Sequence, residues 1–419
     1  MGYDVCIVGA GPVGGALACR LAKAGLRIAI VERAELPRLE HPDFDGRAYA
    51  IAAGSRPLLQ SAGIWDALPL PSGPIEQIRV SDGSPGRPAS RLFLHFDGAA
   101  VGGGAMGWMV EARSLRVALN ARLHQAANID VFAPAEARVT RAPDRAEIRL
   151  SSGEGFESRL VIAAEGRQSR LRREAGLVAT GWSYPQSAIV CAIAHEAPHD
   201  RIALEHFLPA GPFAQLPMAS GENGEHLSAI VWTERSELAP RFMAMDDTLF
   251  AAEIGRRLGS HLGRVTPVGR RWMYGLSAMY VHKITAPRLA VIGDAAHGIH
   301  PIAGQGLNLG LRDAIALSDL LMEAHTAGED IGSAALLARY QRARRVDTIG
   351  MLLATDGLDR LFSTANPVIR AARLLGIGAV HRLPALKIAF MKQAMGIAGT
   401  NRDMPADFSQ FRGADDFAD

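Results

Sequence analysis

Cysteine is scarce in this chain of 419 residues, which carries only Cys6, Cys19 and Cys191. No two of them have metal-ligand spacing and the odd number leaves one over, so neither a zinc site nor a disulfide framework is expected. They read as small core residues of a protein in a reducing compartment. Long apolar runs are missing too, since no stretch reaches the ~18 residues that a spanning helix needs. The opening MGYDVCIVGAG is already a strand with no basic leader in front of it, and Cys6 stands where a myristoylation signal wants Ser or Thr. Charge of one sign is not in excess: 45 basic residues face 43 acidic ones, for a formal net charge of +2. That balance lacks the electrostatic footprint of a nucleic-acid binder, so no nucleic-acid partner is expected. Internal repeats and low-complexity tracts are absent as well. The expectation is a cytoplasmic chain with no spanning helix and no separate nicotinamide-binding domain.

What is present is apolar material, 48% of the residues, enough for a large core. The length suggests two domains or one elaborated domain. YDVCIVGAGPVGGALACRLAKAGLRIAIVERAE reads as strand, turn, helix, strand: Val5, Ile7 and Val8 are a buried run, Ala16 to Ala24 favour helix, and Gly25 ends it. Gly9 permits the tight turn, Gly11 lets the backbone approach a pyrophosphate, and Gly14 lets helix and strand pack closely. A lone GxGxxG would be weak, but this one follows a strand, opens a helix and has Glu32 about 20 residues further on. Glu32 suits a ribose diol and repels a 2′-phosphate, which points to the adenosine of FAD or NAD. Gly9, Ala10, Gly11, Val13, Gly14, Glu32 and Arg33 form the first candidate cofactor site.

A second motif, GDAAHGIHPIAGQGLNLGLRDA, spans 293–314. Its His297 and His300, beside Asp294 and Asp313, raise the question of a metal site. Gly298 and Pro301 break any helix there, Pro301 pushes His300 towards an extended conformation, and a third ligand would have to be invented. The preceding APRLAVIGD is a strand, so Asp294 sits at its carboxyl end, where open α/β sheets bind ligands. LNLGLRDAIALSDLLMEA then has helical periodicity, and Gly304 and Gly306 place free amides at its start, where negative charge is stabilised.

These two motifs together resemble the single-component FAD-dependent aromatic hydroxylases, and HPIAGQGLNLGLRD is similar to their ubiquinone-biosynthesis branch. FLPAGPFAQLPM (207–218) and FMKQAMGIAG (390–399) fit the same branch, so the likeness covers nearly the whole chain. The resemblance implies an α/β architecture: a Rossmann-like FAD-binding fold, an antiparallel-sheet substrate domain and a C-terminal helical region. It implies FAD as cofactor, NAD(P)H as electron donor, and oxygenation of a polyprenylated phenol by dioxygen through a flavin hydroperoxide. Asp294 would bond the ribityl chain and Pro301 would line the flavin face. Gly304, Gln305, Gly306 and Leu307 would bring amides to the pyrimidine edge, which Asn308 would fix. Pro301, Gly304 and Asn308 are thereby the catalytic candidates. Arg47 in DGRAYAI and Arg113 in VEARSLRVAL match positions where the family contacts FAD. The family's middle Asp-Gly is here Glu165-Gly166, with Ser169 able to cap the segment after it.

On this reading, 1–70, 108–180 and 276–340 build the FAD-binding domain, 71–107 and 181–275 the substrate sheet, and 341–419 the helical region. The stretch 130–215, including ARVTRAPDRAEIRL and SAIVCAIAHE, is expected to add strands to an antiparallel sheet beside the dinucleotide fold. No acid–base residue stands out, although His195, His206 and Tyr184 fall in the substrate domain. Between 360 and 402 there is no acidic residue but there are seven basic ones. That tail suits either peripheral docking on an anionic membrane face or packing on the body with snorkelling basic residues. Membership of a quinone-biosynthesis complex is a further expected partnership. Two rival functions share the fold: a reductase of prenyl chains, and a non-catalytic FAD-binding subunit.

Overall fold

The computed structural model describes residues 2–37, 44–86, 93–101, 104–221, 223–300, 304–362 and 384–397. Strands Leu289–Val291, Gly155–Ala163, Gly2–Val8, Ile28–Val31 and Ile129–Phe132 lie side by side in parallel, in that order. Their sequences are near-continuous apolar runs, as strands buried on both faces require. Val5, Ile7, Ile28, Ile30, Val161 and Val291 are all fully buried. Helix Pro12–Lys23 packs against both Ala112–Gln125 and Gln305–Thr326. Ser169, expected to cap, does so by accepting a hydrogen bond from the Arg172 amide at the start of helix Arg170–Glu174.

The second sheet runs His297–Gly298, Val265–Val281, Ala179–His195, His226–Arg235, Gly211–Pro217, Ile202–Leu208, Gln77–Asp82 and Phe93–Asp97. Every pairing is antiparallel except Ile202–Leu208 with Gln77–Asp82. Side chains alternate across it. Ile189, Phe213 and Trp232 point to one face and are covered by Phe250 and Ile254 of helix Asp247–Leu258. Ala203, Ala214, Leu216 and Ala229 point to the other, against Ile75 and Met109. A three-stranded sheet of Ala48–Ala52, Gly107–Glu111 and Gly73–Ile75 lies on that inner side.

One expectation is corrected. ARVTRAPDRAEIRL forms the hairpin Ala137–Arg141 and Ala146–Leu150, but it joins the edge of strand Gly155–Ala163 in the dinucleotide sheet. Alternation correctly marks strands there; it carries no information about which sheet supplies the partner. Towards the C-terminus, Ala334–Phe362 is one long helix, and Pro384–Met395 packs Met391 and Met395 on Met106 of the body. Arg370, Arg373, Leu374 and Leu375 of the acid-free stretch lie outside the described residues. Among the described residues, no helix is long and apolar enough to cross a membrane.

Candidate cofactor and substrate site

The glycine loop does what its spacing predicts. Gly9 has φ +109°, and a Cβ there would lie 2.4 Å from the Ala164 carbonyl oxygen. A Cβ on Gly14 would lie 2.1 Å from the Gly9 carbonyl oxygen, so the helix sits directly on the turn. Gly11 is the N-cap of helix Pro12–Lys23, and its added Cβ would meet no protein atom within 4 Å. Glu32, just past strand Ile28–Val31, accepts the Ala10 amide at 2.8 Å and the Ala34 amide at 3.1 Å. A carboxylate has about four lone-pair sites, so both oxygens keep capacity for a diol. Arg33 is exposed beside it.

The second motif closes on the first through small residues. Cβ atoms on Gly293 and Gly310 would lie 3.4 Å and 2.8 Å from the Val13 side chain, so Val13 occupies the space those glycines leave. Asp294 stands exposed at the carboxyl end of strand Leu289–Val291, 3.7 Å from Arg167. His297 and Asp313 pair with each other. The His297 Nε2 pairs with Asp313 Oδ2 at 2.6 Å, that same oxygen accepts the Gly293 amide at 2.9 Å, and Arg344 Nε donates to Oδ1 at 2.6 Å. Burial alone would raise the Asp313 pKa, but His297 and Arg344 outweigh it and hold the group at about 2. His300 is fully buried 3.5 Å from Asp359 and edge-on to Tyr184. No cluster among the described residues could hold a metal ion.

Pro301 lies outside the described residues. Gly304 caps helix Gln305–Thr326 in the left-handed region, at φ +62°, and the Cβ position of Gly306 has no neighbour within 4 Å. The amides of this helix start therefore have an unobstructed approach, as those at Gly11 do, and both cradles fit an elongated anionic cofactor. Leu307 packs on the core of the dinucleotide sheet. Gln305 reaches the Ala394 carbonyl at 3.2 Å, tying the helix start to the C-terminal helix. Asn308 is buried, and its amide is already engaged by the protein. It donates to the Ala50 and Gly304 carbonyls at 2.8 Å and 3.1 Å and accepts the Ala52 amide at 2.8 Å. Its side chain thus positions strand Ala48–Ala52 beside the helix start.

Arg47 and Arg113 come to the same end of the small sheet, where the Ala112 amide bonds the Arg47 carbonyl. Arg47 pairs with Asp45 at 2.6 Å and lies over Trp272, while Arg113 pairs with Glu111 at 2.7 Å near Phe44. Glu165 follows strand Gly155–Ala163, and its backbone nitrogen would lie 3.0 Å from a Cβ on Gly9. It accepts the Ser169 hydroxyl at 2.5 Å and the Leu171 amide at 3.2 Å, reinforcing the Ser169 cap. Glu165→Ala is expected to lower unfolding stability by about 1 kcal/mol, the usual magnitude for a lost cap, with FAD content unchanged. Flavin loss at an unchanged melting temperature would move that carboxylate to the cofactor.

Between the inner face of the large sheet and Gly304 lies a small cavity that opens to solvent. Glu205, Pro212, Ala214, Leu216, Val231 and Thr233 line it. FLPAGPFAQLPM thus supplies one wall through alternate residues. His195 and His206 are engaged elsewhere: His195 with the Ala197 carbonyl and the Ser228 hydroxyl, His206 with the Ser81 hydroxyl at 2.7 Å. Tyr184 bonds Asp356 at 2.8 Å. Glu205 was not among the sequence candidates. The available signal was an acid between Ala203 and Phe207 on the buried parity of a strand.

Residues 2–349 match the family described as FAD binding domain. The chain is 45% identical to the ubiquinone hydroxylase UbiL of Rhodospirillum rubrum, over 94% of this chain and 89% of that protein. It is 33% identical to the 3-demethoxyubiquinol 3-hydroxylase of Escherichia coli, over 94% of this chain and 98% of that one. Among solved structures it superposes on PqsL, a probable FAD-dependent monooxygenase of Pseudomonas aeruginosa. That match has TM-score 0.71 and 21% identity, covering 90% of this chain and 100% of the other. The glycine loop, the 293–314 motif and these relatives agree: the chain belongs to the FAD-dependent hydroxylase family, in its ubiquinone-biosynthesis branch.

Proposed function

We propose that this protein hydroxylates the aromatic ring of a polyprenylated phenol on the route to ubiquinone, using FAD, dioxygen and a reduced nicotinamide. The observation that carries this reading is the cavity bounded on one side by Gly304 and on the other by the sheet. Its lining is apolar apart from Glu205 and Thr233, which suits a substituted ring carrying one polar group. A prenyl chain would leave through the mouth. Bound FAD would supply the activation of dioxygen; the chain's own residues bind, orient and keep the site dry. Gly9, Gly11 and Gly14 would bring backbone to the pyrophosphate, Glu32 would take the ribose, and Asp294 would take the ribityl hydroxyls. The amides at Gly304–Leu307 would stabilise charge at the far ring edge. Asn308 would act by fixing strand and helix start relative to each other.

A membrane-embedded substrate makes peripheral contact with the bilayer part of this proposal. Phe390 and Ile388 on the C-terminal helix are partly exposed apolar side chains beside Lys387 and Lys392. The test is turnover under ¹⁸O-labelled dioxygen with a prenylated phenol carried in anionic liposomes. One labelled oxygen is expected in the product ring, with the protein co-floating at low salt. Hydrogen added across a prenyl double bond, with no label, would replace this reading by reduction. Label uptake without flotation would remove the membrane contact alone.

A further inference from the structure

Strand Ile202–Leu208 buries Ala203 and Phe207 on one face, and Glu205 lies between them with the same orientation. A carboxyl on the apolar parity of a strand is costly unless something engages it. Glu205 is buried, yet no hydrogen bond or ion pair engages its carboxyl among the described residues. Its cross-strand neighbours, Val80 and Ala214, are apolar. The carboxyl lines the cavity that Gly304 bounds. Thr233, two strands away, adds a second polar group to the same wall, and its hydroxyl is buried with no hydrogen-bond partner. Every other residue of the lining is apolar or glycine.

We propose that Glu205 accepts the proton of the substrate's ring hydroxyl, with the Thr233 hydroxyl as the second polar contact that orients the ring. The inference rests on the function proposed above and adds the acid–base group which that reading lacks. The phenolic O–H bond breaks, its proton moves to a Glu205 carboxylate oxygen, and the electron pair stays on the ring oxygen. The ring carbon so enriched forms the new C–O bond with one atom of the dioxygen that bound FAD would activate, while the O–O bond breaks and the other atom leaves as water. The ring then loses its own C–H proton to water, and Glu205 returns its proton to the original ring oxygen. Oxidant and reductant are dioxygen and the reduced nicotinamide of the parent reaction.

Burial pushes the Glu205 carboxyl up to about 7, which makes it a stronger base than an ordinary carboxylate. Among the described residues no other titratable group shares the lining: Pro212, Ala214, Leu216, Val231, Thr233 and Gly304 carry no charge, nor does Val80 on the paired strand. The base form is the ionised one, so proton acceptance should increase as pH rises through about 7.

The experiment uses the FAD-loaded protein and a phenol carrying one isoprene unit. Binding of the phenol and of its methyl ether is followed from pH 6 to 9, and ring hydroxylation is measured alongside. In the wild type the affinity for the phenol, and not for the ether, should increase through about pH 7, as the ionised carboxylate becomes available to accept the ring O–H. In Glu205→Gln that pH dependence should vanish and FAD content should be kept. Hydroxylation should fall by about 10²–10⁴-fold, the range of a lost general base, with reduced oxygen released as peroxide. Glu205→Asp should recover part of the rate. A wild type that binds phenol and ether with the same pH dependence across that range overturns the proposal without recourse to any variant. So does a Glu205→Gln protein that hydroxylates at the wild-type rate with the same pH profile. A wild type that binds the phenol and never oxygenates it would instead sink the parent function.

Discussion

Alanine at Gly14 is expected to give a protein that neither folds normally nor retains FAD, whereas alanine at Gly11 should fold and lose affinity only. The two positions are three residues apart and differ in what a methyl group meets. At Gly14 it would lie 2.1 Å from the Gly9 carbonyl oxygen, which is itself held by a left-handed turn. Relief requires moving the helix off the strand, an overpacking penalty of about 1–3 kcal/mol or more, and the phosphate cradle moves with it. At Gly11 the methyl meets no protein atom within 4 Å. Stability changes there by at most about 1 kcal/mol of N-cap preference. The methyl intrudes only on the approach of the pyrophosphate. Losing a charged hydrogen bond or two there is worth about 1–3 kcal/mol, so the FAD dissociation constant should rise roughly 5- to 150-fold. Flavin-fluorescence titration and apoprotein melting temperatures separate the two effects. Wild-type FAD affinity in Gly11→Ala would place the phosphates elsewhere.

Asp313→Ala should be the most destabilising of the single substitutions considered. Asp313 is fully buried and ties its own helix to the Gly293–His297 turn and to Arg344 of the long helix. Removing it leaves Arg344 in the core with Asp347 as its remaining carboxylate, at 2.7 Å. Breaking a buried pair in this way costs about 3–5 kcal/mol. Because the folded pKa of Asp313 is depressed, its contribution is present in full above the unfolded value of about 3.9. It is lost as pH falls through the folded value of about 2. Denaturant midpoints at pH 7 should differ strongly between wild type and variant, and the gap should shrink between pH 4 and 2. An unfolding free energy within about 0.5 kcal/mol of wild type, the range of surface substitutions, would mean that the triad contributes little.

The parts of the site legible in the sequence are those whose physics is local. Gly9, Gly11, Gly14 and Glu32 belong to one strand–turn–helix–strand unit, and Gly304 marks the start of the helix after its own strand and loop. What could not be read depends on pairing between distant segments. Asn308 bonds Ala50 and Ala52, more than 250 positions away, so its engagement by backbone was invisible. The hairpin 137–150 shows strand alternation, but alternation does not specify a partner sheet. Glu205 sits beside His206, and the residue facing the cavity is fixed by the register against Ala214 and Val80. For Glu165 the local signal was available: an acid four residues before a helix-capping Ser169 can join the cap.

The strand order of the dinucleotide sheet sets a schedule for making the protein. Strand Gly2–Val8 is central, flanked by Ile28–Val31 on one side and Gly155–Ala163 on the other, and Leu289–Val291 completes that side. A chain emerging from the ribosome can pair the first two strands at once, but the glycine loop has no Ala164 to close against until more than 160 residues are out. The Gly304 helix start, and Val13's seat between Gly293 and Gly310, arrive only after nearly twice that length. Contacts of such sequence separation incur their loop-closure entropy before any compensating burial, so formation of the cofactor site is a late event. Until then the apolar edges of an unfinished parallel sheet remain open, which makes the nascent chain dependent on protection from aggregation. No contiguous fragment from the N-terminus short of about three-quarters of the sequence can bring both halves of the cofactor site together.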